Sequence, residues 1–248
     1  MIHSFLLIGQ SNMAGRGDIG DVARIENPSL RVMRNGRWQR LFVPVNPDRP
    51  FSGVNLAESF ADAYQCAHGV EVGLIPCADG GTRIDQWREG GLLFDHAVYQ
   101  ARLAERTSTI AGVLWHQGES DCEAALVSGY GAKLEAFYGA LSRALNLHDV
   151  PFLAGGLGEF LENRGEIRPY WREIDRQIRE FTAAHPMTGY VSAAGLDGRP
   201  DNLHFNAPAL REFGLRYYEA FKALERKDKV FADKPREDDA LRTALDSL

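Results

Sequence analysis

Near the start of the chain an apolar run, Phe5-Leu6-Leu7-Ile8, stops abruptly at Gly9-Gln10-Ser11-Asn12-Met13-Ala14-Gly15-Arg16-Gly17. Consecutive apolar residues bounded by glycine read as a buried strand, the kind found in a parallel sheet covered on both faces. A serine at the carboxyl end of such a strand stands where open α/β sheets bind their ligands, beside free backbone N–H groups. Ser11 is therefore a candidate nucleophile, although serine at a strand-to-helix turn also serves as a plain helix cap.

The rest of the chain repeats this alternation. Residues 54–68 carry Leu56, Phe60, Ala63, Tyr64 and Ala67 at helical spacing and lead into a strand over 70–76. A helix over about 92–106 precedes a strand at 110–115. Helix 123–145, strand 150–155, helix 167–184, strand 188–192 and helix 207–224 follow. Strands separated by helices predict a parallel sheet, because each crossover packs its helix back on the sheet. The expected fold is an α/β three-layer α/β/α sandwich with a five-stranded parallel sheet. Residues 18–53, with Pro28, Pro44, Pro47 and Pro50, read as an irregular segment bordering the site, with short strands at 31–33 and 38–42. One domain is expected over 1–225, followed by a charged tail over 226–248 that is solvated, an oligomer contact or an appendage.

Composition excludes several classes. The 248 residues are 44% hydrophobic and 25% charged, enough to build one core without disulfides or metals. A net charge of −6 disfavours nucleic acid as a partner, since phosphate binding needs a concentrated basic surface. Three cysteines, Cys66, Cys77 and Cys122, without C-x-x-C spacing fit reduced thiols and a cytoplasmic location. The apolar run at 5–8 is too short and too early for a secretory signal, and no stretch reaches the ~18 apolar residues of a membrane span. A homo-oligomer is compatible with all of this.

In a parallel sheet the segments after each strand converge on one edge. Four such segments carry reactive groups: 9–17, 78–87, 116–121 and 201–206. A serine hydroxyl needs an adjacent base, and histidine is the side chain best tuned for it. His204 is the best-placed base, and Asp201, three residues earlier, can accept its other ring N–H and fix the tautomer. Gly80 and Gly81 let backbone approach a ligand and point an N–H inward, and Gln117 can add a side-chain donor. Trp38, Trp87 and Trp115 are possible stacking surfaces, though tryptophans are more often core.

Taken in order, Gly9-Gln10-Ser11-Asn12-Met13-Ala14-Gly15, Gly80-Gly81-Thr82 with Trp87, His116-Gln117-Gly118-Glu119-Ser120-Asp121 and Asp201-x-x-His204 resemble the blocks of the SGNH hydrolase superfamily. The closer resemblance is to its sialate O-acetylesterase-like group, which includes the carbohydrate esterase family 6 acetylxylan esterases. The resemblance spans about residues 4–206. It implies an SGNH, flavodoxin-like fold with Ser11 as nucleophile and His204 as base. It also implies an oxyanion hole from the Ser11 N–H, the Gly81 N–H and the Gln117 side chain. Gln10, Asn12, Gly80 and Thr82 are expected at the substrate. Within the family both the D-x-x-H aspartate and the H-Q-G-E glutamate are candidates for orienting the histidine, so Asp201 and Glu119 both stand, Asp201 being favoured by proximity. The chain lacks the second glycine of the G-x-S-x-G elbow of α/β-hydrolases. His116 and Glu119 have metal-like H-x-x-E spacing but no third ligand, so neither a metal nor another cofactor is expected.

Together with this resemblance, which implies the acetyl group and the sugar, these features predict a serine ester hydrolase that removes acetyl groups from a carbohydrate through an acetyl-serine intermediate. The competing expectations are a non-catalytic carbohydrate-binding protein on the same fold, and an esterase or thioesterase for other acyl groups.

Overall fold

The computed structural model describes residues 1–164, 166–225 and 231. Side chains alternate along the first strand, β1 (Ile2–Gly9): Phe5 and Leu7 enter one apolar cluster, Leu6 and Ile8 the other, and all four are fully buried. Such two-sided burial demands helices on both faces of the sheet. On one face lie α2 (Ala57–His68) and α6 (Ala207–Leu224), whose Phe60, Tyr64, Phe213 and Phe221 pack with Phe5 and Leu7. On the other lie α3 (Leu92–Ala104), α4 (Tyr130–Leu145) and α5 (Trp171–Ala184), with Ala97, Phe137 and Ile178 packed around Leu6 and Ile8. A single short turn of helix, α1 (Ser11–Ala14), follows β1 directly.

The remaining strands are β2 (Leu30–Arg34), β3 (Arg37–Arg40), β4 (Glu71–Pro76), β5 (Thr109–His116), β6 (Phe152–Gly155) and β7 (Thr188–Val191). They form one sheet in the order β3-β2-β4-β1-β5-β6-β7, parallel throughout except between β2 and β3. The expected five parallel strands are its centre and one side, and the count is corrected to seven. β2 adds a sixth parallel strand by pairing Leu30, Arg31 and Val32 with Val72, Gly73 and Leu74. β3 folds back on it through Asn35-Gly36, both at positive φ (51° and 75°), as a two-residue hairpin loop requires.

Two helices begin later than their apolar pattern predicts. A 3-10 turn at Val127–Gly129 precedes α4, and Pro169 disfavours helical backbone in the residue before it, so α5 starts at Trp171. The tail expected over 226–248 lies outside the described residues except for Phe231, whose ring centroid is 3.9 Å from that of His3. Among the described residues no helix is long and apolar enough to cross a membrane.

Sheet order places β1 between β4 and β5, so the loops following these three strands meet at one edge. Gly9 makes the closest join. At φ 133° it lets the Gln10 N–H donate to the His116 carbonyl at 2.9 Å, and a Cβ there would sit 2.1 Å from that oxygen. The segment before α6 reaches the same edge, and its exit is fixed by the Asn206 side chain, which accepts the Ala209 N–H at 2.9 Å beside Pro208.

Candidate active site

Ser11 opens α1, and its N–H is one of the first-turn donors that an α-helix leaves without an internal acceptor. Its Oγ lies 3.1 Å from His204 Nε2. On the far side of the ring, His204 Nδ1 is 2.7 Å from Asp201 Oδ2. A carboxylate only accepts, so Nδ1 carries the proton and Nε2 is left to accept from the Ser11 hydroxyl. Asp201 Oδ1 also receives the backbone N–H groups of Leu203 (2.9 Å) and His204 (3.0 Å), which locks the turn. Partial burial pushes the Asp201 carboxyl up, but the hydrogen bond from His204 and the two backbone N–H groups outweigh it and hold the group below the usual carboxylate range. The serine, the histidine and the aspartate singled out in sequence are thus in contact, an arrangement that can activate a hydroxyl.

The turn after β4 supplies the second element. Gly80 packs against Ser11, and a Cβ on it would lie 3.4 Å from that of Ser11 and 2.4 Å from Arg16 Nη2. Its N–H is already engaged, donating to Asp48 Oδ2 at 2.8 Å. Gly81, at φ 80°, makes no hydrogen bond through its N–H to any described residue, and nothing stands within 4 Å of where its side chain would be. Of the two glycines it is therefore Gly81 whose donor is open, while Gly80 anchors the turn.

That anchor escaped the sequence. Arg16 and Asp48 form a two-pronged ion pair (Nη1 to Oδ1 2.9 Å, Nη2 to Oδ2 2.7 Å), with side chains only 4% and 5% exposed. Ser52 Oγ donates to Asp48 Oδ1 at 2.7 Å, and Arg16 Nη1 also donates to the Gly15 carbonyl at 2.8 Å. Burial raises the Asp48 carboxyl, and the bonds from Arg16 and Ser52 more than reverse this. The only sequence signal was a charged residue in each of two glycine- and proline-rich segments.

Beneath the triad lies a buried polar layer, and three of the residues expected at the substrate, Gln10, Asn12 and Thr82, have their side chains in it. Gln10 is buried, and its Oε1 accepts from Gln117 Nε2 (3.1 Å), the Ser120 N–H (3.3 Å) and the Gly118 N–H (3.5 Å). Asn12 is buried too. It donates to Glu119 Oε1 and to the Leu203 carbonyl (3.1 Å), and accepts the Phe205 N–H (3.1 Å), so it clamps the segment that carries His204. Thr82 Oγ1 donates to the Asp79 carbonyl (2.8 Å) and accepts from Trp87 Nε1 (3.2 Å). All three face inward because their hydrogen-bonding groups are used by neighbouring loops.

Glu119 hydrogen-bonds to His116 Nε2 (3.0 Å) and to Asn12; its bonds run to the layer beneath the triad, and His204 is oriented by Asp201. Full burial raises its carboxyl, but the interactions with His116 and Asn12 bring it below the ordinary range. Gln117 is fully buried, with Nε2 shared among Asp121 Oδ2 (2.6 Å), the Thr82 carbonyl (3.0 Å) and Gln10. Its amide thus braces the turn that presents Gly81. No group of three or more metal-ligating side chains occurs among the described residues, and His116 and Glu119 are spent on each other.

Trp38, Trp87 and Trp115, weighed as stacking surfaces, are all core residues, 1%, 0% and 0% exposed. Beside His204 and Asp201 opens a cleft of about 390 Å³, lined also by Arg16, Ser52, Phe51, Ile19, Asp18 and Arg199. As expected, part of segment 18–53 borders the site.

A family model described as carbohydrate esterase, sialic acid-specific acetylesterase, matches residues 1–223. A protein of Arabidopsis thaliana named "Probable carbohydrate esterase" is 28% identical over 246 residues, covering 88% of this chain and 89% of its own. A crystal structure of an Arabidopsis thaliana protein superposes with a TM-score of 0.81 at 26% identity, covering 89% of this chain and 98% of that one. NanS (TM-score 0.69, 16% identity, 90% and 97% coverage) shares the fold. So does a carbohydrate acetylesterase from Xanthomonas citri (TM-score 0.68, 20% identity, 90% and 56% coverage).

Proposed function

Because the chain belongs to the carbohydrate esterase family of sialic acid-specific acetylesterases, and so is an esterase, we propose that it removes O-acetyl groups from a sugar through an acetyl-Ser11 intermediate. The observation that carries this reading is the unbroken contact from Ser11 Oγ through His204 to Asp201, at 3.1 and 2.7 Å. His204 Nε2 takes the Ser11 proton as Oγ attacks the acetyl carbonyl carbon. The negative oxygen that forms is met by the Ser11 and Gly81 N–H groups, both without a competing acceptor among the described residues. The intermediate collapses as His204 returns the proton to the sugar oxygen, and the C–O bond to the sugar breaks. Water then repeats the sequence on the acetyl-enzyme, with its proton passing through His204 to Ser11 Oγ and acetate leaving.

Asp201 fixes the histidine tautomer and balances the positive ring in both halves of the reaction. Gly80, Gln117 and Thr82 contribute by holding Gly81 in position, and Asn12 by holding His204. The test is hydrolysis of 4-nitrophenyl acetate and butyrate by the wild type and by Ser11→Ala, with circular dichroism on both. Acetate turnover that exceeds butyrate turnover and vanishes in the variant is the expected result. A folded wild type that neither turns over acetate nor reacts at Ser11 with a fluorophosphonate would falsify the acetyl-serine mechanism, and faster butyrate turnover would overturn the acetyl preference.

A further inference from the structure

We infer that Phe51 is the platform on which the sugar ring of the leaving group stacks, a specificity-determining position for the reaction proposed above. The inference rests on that reading for the direction of the leaving group. His204 must reach the leaving oxygen to protonate it, so the sugar departs into the cleft that His204 helps to wall, and the aromatic side chain in that wall is Phe51.

Phe51 is 67% exposed, whereas Trp38, Trp87 and Trp115 are buried out of reach. A lone exposed phenylalanine needs no explanation in general. This one is held in a stitched turn. The Ser52 N–H donates to the Arg49 carbonyl (3.0 Å), and the Arg49 N–H donates to Ser52 Oγ (3.1 Å). The Gly53 and Val54 N–H groups donate to the carbonyls of Gly15 (3.2 Å) and Gly17 (2.9 Å) in the loop that follows Ser11. The Arg16 guanidinium lies 5.3 Å from the ring centroid, backing the ring with a charge that Asp48 also holds in place. The backbone that carries the aromatic side chain is thus tied to the loop after Ser11 before any ligand arrives, which lowers the ordering cost of binding.

The rest of the wall suits a pyranose. Ile19 adds a second apolar side chain, and Asp18 and Arg199, paired with each other at 3.3 Å, place a polar edge beside it. A pyranose has an apolar C–H face that fits the electron-rich face of an aromatic ring, and hydroxyls around its edge. A cleft of about 390 Å³ lies in the range that takes small ligands of that kind.

Two measurements test the inference. In the first, kcat/KM is measured for acetylated xylobiose and for ethyl acetate, which has no ring to stack. The ratio of the two should fall about five- to tenfold in Phe51→Ala and recover in Phe51→Trp. A ratio unchanged in Phe51→Ala, whether both activities fall together or neither does, would overturn the platform. In the second, acetylated xylobiose is titrated calorimetrically into Ser11→Ala and into Ser11→Ala with Phe51→Ala, a readout independent of turnover. Weaker binding by about the same factor supports stacking even if the wild type hydrolyses neither ester, a result that would count against the acetyl-serine mechanism alone. Equal binding by the two proteins would remove Phe51 from sugar recognition.

Discussion

Two histidine–carboxylate pairs share the same spacing in this chain, and they do different work. His204 and Asp201, three residues apart, sit at the rim with the Asp201 side chain 42% exposed; His116 and Glu119, also three apart, lie beneath with Glu119 1% exposed. In both the hydrogen bond runs from ring nitrogen to carboxyl oxygen, and in both the carboxyl is held below its usual range against the effect of burial. What separates them is the other ring nitrogen. His204 Nε2 faces the Ser11 hydroxyl, whereas His116 Nδ1 meets no hydrogen-bond partner among the described residues. A pair with a reacting group on its open side can pass a proton. The sealed pair instead holds Asn12, and through it the backbone at Leu203 and Phe205 on either side of His204.

The sharpest way to break this comparison is to remove each pair in turn. His204→Ala should lower kcat on 4-nitrophenyl acetate by on the order of 10⁴–10⁶-fold, with little change in the melting temperature. Glu119→Ala should do the reverse in emphasis. Deleting one partner of a buried pair costs about 3–5 kcal/mol, which for a domain this size lowers the melting temperature by about 6–20 °C. Thermal unfolding and initial rates on the same two samples check both statements. A Glu119→Ala protein as stable as the wild type would show that the lower pair is not structural.

Gln117 lies between the two layers and sharpens the boundary. If its amide acts only as a brace for Thr82 and Gln10, Gln117→Ala should lose about 100-fold in kcat together with measurable stability, because the Asp121 carboxylate behind it loses a donor. A comparable loss of rate at unchanged stability would return Gln117 to the oxyanion hole.

The rim was legible in the sequence because its chemistry is local. Asp201-x-x-His204 is one turn of chain, and Ser11 follows a strand whose apolar run announces where it ends. The alternation of strands and helices located the sheet edge on which these segments converge. The inward turn of Gln10 and Asn12 was not legible, although they flank Ser11, because it depends on the approach of β5 to Gly9 and on a segment near residue 204. The Arg16–Asp48 pair joins positions 32 residues apart through an irregular stretch with no periodicity to read. Trp38 illustrates the same limit. Its ring fills the space above Gly73, where a Cβ would come within 2.5 Å, and only the register of the edge strands reveals that. The hairpin that carries it turns at Asn35-Gly36, both at positive φ, within a segment that read as irregular.

The smallest effect separates two buried carboxyls by sign. Burial pushes Asp121 above its ordinary range, against the hydrogen bonds from Gln117 and the Ile84 N–H. A group raised on folding contributes stability that is full below the unfolded value, about pH 4, and is lost as pH rises through the folded value. Asp121→Asn removes that loss, so its melting temperature relative to the wild type should rise from about pH 4 upward and then level off. Glu119 is lowered on folding, so its contribution is present above the unfolded value and disappears as pH falls through the folded one. The deficit of Glu119→Gln should accordingly be largest near neutral pH and shrink in acid. Unfolding curves of the three proteins between about pH 3 and 8 should therefore give difference plots of opposite slope. Parallel plots would mean that Glu119 and Asp121 respond alike to burial, and the contrast drawn between a paired and an underpaired carboxyl in the same layer would fail.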